Sequence, residues 1–452
     1  MAYPAPKRTI LLGNDVRAPK SKQFARLRFM TKSHQAEIPI RILMLLENSN
    51  YDSDSRVVME AKTLASAGYS VTVICPRQKS RSSREVIRGV QVYRYPSPPE
   101  LSGSLGYIVE YAYSLVMQFM LSVYVLTRHG FDAVHVHTPP DLTGIIGICY
   151  RLLGKKFVFD HHDLSPELYN AQKGGHGNKI LHNALLFFER VSCRWANRLI
   201  ATNQTQQQIQ MDRCGATPEH CYIVRNGPNE HFLAHVRPTR LPHPASDKSV
   251  IGYVGEIGIQ DGLEHLILAL SELRSRGRHD FHAVIVGEGS DVKRIQAMTR
   301  ECKLQDSVTF TGLVPFAEVP GYLASFDICT TPDPSNPYND SCTTIKTMEY
   351  MALRKPTVCY ETPENRNSAG ASALYAADND PKNFADALES LMDDAERRAA
   401  MGKIGRQRID QKLAWKFQSE NLLQLYEDLF GLVRTPDPSI PLVEAHSMAK
   451  PV

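Results

Sequence analysis

Short apolar runs alternate with helical patterns along most of the chain, and few folds accommodate that alternation. Segments 41–46, 70–75, 132–137, 156–160, 198–202 and 221–224 read as strands, each followed by a stretch with helical periodicity. Strands spaced by helices call for parallel pairing, with helices covering both faces of the sheet. At 237–247 the run Arg-Pro-Thr-Arg-Leu-Pro-His-Pro-Ala-Ser-Asp carries three prolines and interrupts the pattern. A second series follows at 250–255, 283–287, 307–311, 327–330 and 357–360. The spacing predicts an α/β protein of two Rossmann-like, doubly wound domains facing a central cleft. A chain of 452 residues is too long for one core, which agrees. The predicted divisions are a basic arm over 1–39, a first domain over 40–236, a linker over 237–248 and a second domain over 249–415. A helix over 416–433, expected to cross back to the first domain, and an unstructured tail over 434–452 complete the chain.

Composition narrows the class. Hydrophobic residues make up 42% and charged residues 22%, the balance of a globular protein. A net charge of +4 is too small to argue for a nucleic-acid partner. Nine cysteines show neither a Cys-x-x-Cys pair nor a His/Cys cluster at ligand spacing, so neither zinc nor a disulfide framework is expected. They read as small buried hydrophobes in a reducing cytoplasm, and no apolar stretch follows a charged start as in a secretory signal.

Residues 339–356 carry the strongest functional signal. Asn339, Asp340 and Ser341 are good N-cap types, and the small residues Ser341, Cys342, Thr343 and Thr344 lead into a helix. A helix start presents free N–H groups and the positive end of the dipole, which suits a phosphate. Lys346 and Glu349 share one face of that helix, a cation beside the phosphate and a carboxylate one turn on, where ribose hydroxyls would lie. The same pattern also describes a capped surface helix with a salt bridge.

The run Glu349-Tyr350-Met351-Ala352, with Pro356-Thr357-Val358 after it, resembles the donor-binding signature of the family 4 retaining glycosyltransferases. Further landmarks follow the family order over roughly 40–430. Phe157-Val-Phe-Asp-His-His-Asp163 resembles its His-Asp pair at the edge of the cleft, and Val254-Gly-Glu-Ile-Gly258 and Val286-Gly287 resemble its donor-side turns. The resemblance implies the GT-B fold, with the nucleotide on the second domain and the acceptor on the first. It assigns catalytic roles to His162, which would hold the donor sugar, and to Lys346. Donor contacts fall on Gly255, Gly258, Gly287, Ser341, Cys342, Thr343, Thr344 and Glu349. Acceptor-side positions are Asp54, Arg56 and Asp163. His161 competes with His162, and strand alternation does not separate them because the strand has ended.

The chain departs from the family where charge matters. Most members carry arginine at the Glu256 position and lysine at the Asp261 position; here both are acids, and Ser341 replaces the usual first glutamate of the donor motif. A subset of the family has a Ser/Thr-rich turn followed by lysine, as Thr343-Thr344-Ile345-Lys346 does, so Lys346 is expected to supply the missing charge. Asp52-Ser53-Asp54 superficially matches a metal-binding Asp-x-Asp, but its place after the first strand of the acceptor domain reads as helix capping.

Two apolar helices bear on location. Segment 105–126 repeats Glu110, Ser114, Gln118 and Ser122 every fourth residue and reads as a buried covering helix. Segment 179–198 lines up Arg190, Arg194 and Arg198 beside an apolar side, which fits a membrane-surface helix and an ordinary amphipathic one equally. The expectation is a metal-independent, cofactor-free retaining glycosyltransferase. It would move a sugar from a nucleoside diphosphate donor to a glycan or lipid-linked acceptor in cell-surface polysaccharide biosynthesis. Its expected place is cytoplasmic, with peripheral contact to the anionic inner membrane face. A GT-B nucleotide-sugar epimerase and an inactive nucleotide- or glycan-binding relative stay open as alternatives.

Overall fold

The structure is a computed structural model that describes residues 39–432 except 79–80, 99–102, 229, 235, 240 and 242–247. The expected basic arm up to residue 38, the C-terminal tail and much of the linker lie outside the described residues. The first sheet contains β1 (Arg41–Leu45), β2 (Ser70–Arg77), β3 (Arg84–Ile87), β4 (Val90–Pro96), β5 (Ala133–Thr138), β6 (Lys156–His161), β7 (Arg198–Ala201) and β8 (Cys221–Ile223). Their order is β3-β4-β2-β1-β5-β6-β7-β8, and all pairs are parallel except β3 with β4. The second sheet contains β9 (Ser249–Val254), β10 (Phe281–Val286), β11 (Val308–Gly312), β12 (Ile328–Thr331), β13 (Thr357–Tyr360) and β14 (Ala373–Ala376), in the order β11-β10-β9-β12-β13-β14 and parallel throughout. Each sheet reverses its strand order once, between β1 and β5 and between β9 and β12. In open α/β sheets ligands collect beyond the carboxyl ends of the strands at that reversal.

Three strands escape the sequence pattern. β3 and β4 form a hairpin around Arg88 and Gly89, both at positive φ (49° and 88°). β3 is an edge strand with every second residue exposed, so it lacks the continuous apolar run of a buried strand. β14 has only four residues, fewer than periodicity needs.

Each domain buries apolar side chains on both faces of its sheet. In the first, Val57, Ala61 and Leu64 of the helix Ser55–Ser66 share one core with Leu422, Leu425 and Tyr426 of the helix Trp415–Phe430. The chain therefore returns from the second domain to the first. Trp415 Nε1 donates to Thr63 Oγ1 at 3.0 Å, and the Tyr426 hydroxyl lies 3.0 Å from His135 Nδ1.

Two helices correct the sequence reading. The 105–126 pattern forms the helix Gly103–Arg128, which covers the sheet but is not buried all round. Its polar stripe points inward: Ser114, Gln118 and Ser122 are fully buried, whereas Val116, Phe119, Met120, Val123 and Tyr124 are exposed. The stripe faces inward because its partners are there. Gln118 Nε2 donates to Leu46 O and the Tyr95 hydroxyl, and Ser122 Oγ lies 2.7 Å from the Tyr150 hydroxyl. The second helix ends at Trp195, so Arg198 belongs to β7 and donates to Asp428 O. The expected row of three arginines is a pair, Arg190 and Arg194.

Candidate active site

A cleft of about 270 Å³ opens between the domains, lined by Asp54, Arg56, His162 and Asp163 from the first and by Thr343 and Ile345 from the second. The two adjacent histidines separate here. His161 ends β6 with its side chain buried, taking Gln210 Nε2 at 3.1 Å and facing Asp141 at 3.5 Å. Burial lowers its pKa, but Asp141 outweighs that and brings it to about 8. His162, the first residue beyond the strand, reaches the cleft wall. Its Nε2 lies 3.0 Å from His137 Nδ1 and 3.1 Å from Asp160 Oδ2.

Behind His162 lies a buried polar group that sequence reading did not assemble. Glu60, His135, His137 and Asp160 bring their ligand-type atoms within 4.8 Å of one another, the donor set of a metal site. Arg56 already meets this group as a cation: its guanidinium stands 2.9 Å from Asp160 and 3.1 Å from Glu60. A divalent ion would sit against that fixed charge, so these residues do not fit a metal. Burial pushes the Asp160 carboxyl up, but Arg56, His162 and bonds from His135 and His137 override it and hold Asp160 well below the usual range. Burial, then His135, keeps the His137 imidazole well below its ordinary pKa and hence neutral. An ionised Asp160 thus anchors His162 Nε2 and fixes the ring in the cleft wall.

Arg56 stands on the first-domain wall of the cleft, the acceptor side, with its donors taken by Asp160, Val224 O and Asn226 Oδ1. Asp54 caps the helix Ser55–Ser66 through Val57 N at 3.0 Å and also lines the cleft.

On the opposite wall the helix Ile345–Ala352 starts at Thr344, an extended residue (φ −71°, ψ 107°) whose side chain supplies no cap. Its first N–H groups thus lack the usual side-chain acceptor. Glu349 is buried without a hydrogen-bond partner among the described residues, and burial alone raises its carboxyl to about 8. Protonated at neutral pH, it can both donate to and accept from a sugar hydroxyl.

Lys346 departs from the expectation. It was expected to offer free charge to a diphosphate, yet its ammonium is bound to Asp261 at 2.9 Å, Asp333 at 3.0 Å and the Tyr253 hydroxyl at 3.2 Å. Burial lowers its pKa, but the two carboxylates win and raise it well above the ordinary lysine value. Asp261 also accepts the Gly258 N–H at 3.1 Å, so the residue standing in for a family cation pairs with the lysine meant to replace that cation.

The remaining expected donor residues divide by role. Gly287 and Gly255 lie where two turns touch: a Cβ on Gly287 would fall 1.9 Å from Gly255 O, and Gly287 has φ 138°, so only glycine fits. Ser341, Cys342 and Thr343 bond to the first domain, and of the three only Thr343 also lines the cleft. Asn203 Nδ2 donates to Ser341 O at 2.8 Å and Thr343 Oγ1 at 2.9 Å, while Asp163 Oδ1 accepts from the Tyr338 hydroxyl at 3.1 Å and Cys342 Sγ at 3.5 Å. These bonds clasp the turn before the helix to the opposite domain. Asn203 and Tyr338 went unnoticed in the sequence. For Asn203 the only signal is its place just past the end of β7, matching Asp163 after β6.

Paired doubly wound domains facing a central cleft have the GT-B architecture. Residues 55–231 match the family described as Glycosyltransferase Family 4, and residues 240–408 match Glycosyl transferases group 1, so that together they span most of the chain. The chain is 23% identical over 369 residues to 2-deoxystreptamine glucosyltransferase of Streptomyces kanamyceticus, covering 79% of this chain and 92% of that protein. Its fold is similar to sucrose-phosphate synthase from Thermosynechococcus elongatus, with a TM-score of 0.72 at 19% identity over 87% of this chain and 99% of the other. HepE of Anabaena, solved in complex with UDP, gives a TM-score of 0.63 at 16% identity over 87% and 100% of the two chains.

Proposed function

We propose that the protein transfers a sugar from a nucleoside diphosphate donor to a hydroxyl of a glycan or lipid-linked acceptor, with retention and without a metal. The observation that carries this reading is the Ile345–Ala352 helix. It starts at the cleft without a side-chain cap, has one turn in a buried carboxyl that is unpartnered among the described residues, and faces His162. The departing diphosphate gains negative charge as the glycosidic bond breaks, and fixed N–H groups aimed at it stabilise the transition state more than the ground state. Glu349 holds the ribose, and His162, anchored by Asp160, holds the sugar. The polar cleft wall of Asn48, Ser49, Asp54 and Asn226 supplies partners for acceptor hydroxyls. That HepE was solved with UDP supports a nucleoside diphosphate, and the aminocyclitol named in the 2-deoxystreptamine relative supports a polyhydroxylated acceptor.

A second reading, a nucleotide- or glycan-binding protein without turnover, is favoured by one observation: the charge of Lys346 is already matched by Asp261 and Asp333. Incubating the chain with UDP-, GDP- and TDP-sugars separates the two. Slow release of one nucleoside diphosphate is expected, unchanged by excess EDTA. No release from any donor would favour the binding protein. Release abolished by EDTA and restored by manganese would overturn metal independence.

A further inference from the structure

The outer face of one helix layer on the first domain carries a concentration of exposed apolar side chains. The helices Gly103–Arg128, Gly144–Leu152 and Lys179–Trp195 contribute to one core on the same side of the first sheet. Away from that core the first helix exposes Val109, Val116, Phe119, Met120, Val123 and Tyr124. On the other two helices and the residue that follows the second, Leu152 (69% exposed), Leu153, Ile180 (82%), Phe187 and Trp195 are also exposed, and Ser122 of the first helix lies 2.7 Å from the Tyr150 hydroxyl of the second. The Arg151 guanidinium lies 5.8 Å from the Trp195 ring centroid and joins the ends of the second and third helices. Globular surfaces rarely concentrate large apolar groups this way without a partner.

We infer that this face docks on an anionic lipid bilayer, with the three helices lying against the membrane surface. Three observations favour a bilayer over a protein. First, the helix Gly103–Arg128 is apolar and long enough to cross a membrane, yet it does not span one here, because its buried Gln118 and Ser122 are hydrogen-bonded into the domain. Second, polarity is inverted: the hydrogen-bonding groups point inward, leaving a surface poor in the polar contacts that protein interfaces use and a bilayer interior does not require. Third, the exposed charged side chains of these helices are all basic, namely Arg128, Lys179, Arg190 and Arg194. Two copies meeting through this face would oppose like charges, whereas anionic headgroups complement them. Tyr124 and Trp195 supply the amphipathic rings that settle at a headgroup boundary. This inference is independent of the transfer chemistry, since no cleft residue takes part.

The test is flotation of the full chain with vesicles of phosphatidylcholine alone or mixed with phosphatidylglycerol. The protein is expected to float with the mixed vesicles and to be only partly released as salt rises, because screening weakens the charge contacts and spares the apolar ones. The double variant F119E/M120E, at exposed positions, should lower partition by about tenfold or more. R190Q/R194Q should lower it less and flatten the salt dependence. Circular dichroism and the melting temperature check that both variants fold, and donor binding should be unchanged in each. Equal flotation of wild type and both variants overturns the inference, as does flotation with neither vesicle or equally with both. A wild-type dimer that F119E/M120E converts to monomer without any vesicle binding would assign the face to a second copy instead.

Discussion

Replacing Lys346 by alanine is expected to cost about 3–5 kcal/mol of folding stability, because it strands two buried carboxylates. Asp261 and Asp333 have side chains only 13% and 12% exposed, and both depend on the same ammonium. Without it, each carboxylate faces the other across a poorly solvated site, and Asp333, whose carboxyl burial already raises, loses the cation that opposes that rise. The deficit should therefore shrink as pH falls and the orphaned Asp333 protonates. Adding Asp261→Asn to Lys346→Ala should recover part of the loss, since one carboxylate and its repulsion disappear. Urea unfolding of the single and double variants at two pH values measures this. If the lysine were instead a free phosphate ligand, Lys346→Ala would keep its stability and lose one to two decades of diphosphate affinity.

His162→Ala is expected to lower kcat by on the order of 10²-fold while leaving nucleotide affinity and stability nearly unchanged. The ring lies at the cleft, anchored from behind by Asp160, and its removal leaves that carboxylate still held by Arg56. His161→Ala should behave in the opposite way. Its ring is buried against Asp141 and Gln210, so the variant should melt earlier and the folded fraction should keep turning over. Steady-state kinetics and thermal melts on both variants decide it. A larger kcat loss in His161→Ala would place the wrong histidine in the cleft, and two fully active variants would remove the histidine from the mechanism.

Periodicity exposed the central strands because a parallel strand covered on both faces is buried along its length and mostly apolar, as β1 is from Ile42 to Leu45, whereas the fully buried β5 carries His135 and His137 among its apolar residues. The hairpin of β3 and β4 lies at the edge and carries no such demand. His162 was legible as one of two neighbours, but the choice between them depends on where β6 ends, which local sequence leaves open. Lys346 shows a deeper limit. Its sequence position beside a helix start is the same whether the ammonium faces a phosphate or two carboxylates, and only the approach of Asp261, 85 residues earlier, decides. The Gly103–Arg128 helix is parallel to this case. Its polar stripe could be seen, but the direction it faces depends on Tyr95 and Tyr150, which periodicity does not locate.

The central claim is that backbone N–H groups at the start of the Ile345–Ala352 helix, rather than a lysine, seat the donor diphosphate. Ile345→Pro tests it with little disturbance. Proline suits the first helical position, and Thr344, at ψ 107°, already has the extended conformation that a following proline requires. The substitution deletes one N–H, while Ile345→Ala controls for the lost side chain. Calorimetric titration of UDP, GDP and TDP, and of the corresponding nucleosides, is the decisive measurement. The account predicts that Ile345→Pro weakens the preferred diphosphate by about tenfold, the worth of one charge-assisted bond, and leaves its nucleoside unchanged, with Ile345→Ala binding like wild type. Undiminished diphosphate binding by Ile345→Pro, or equal losses for nucleoside and diphosphate, would contradict it.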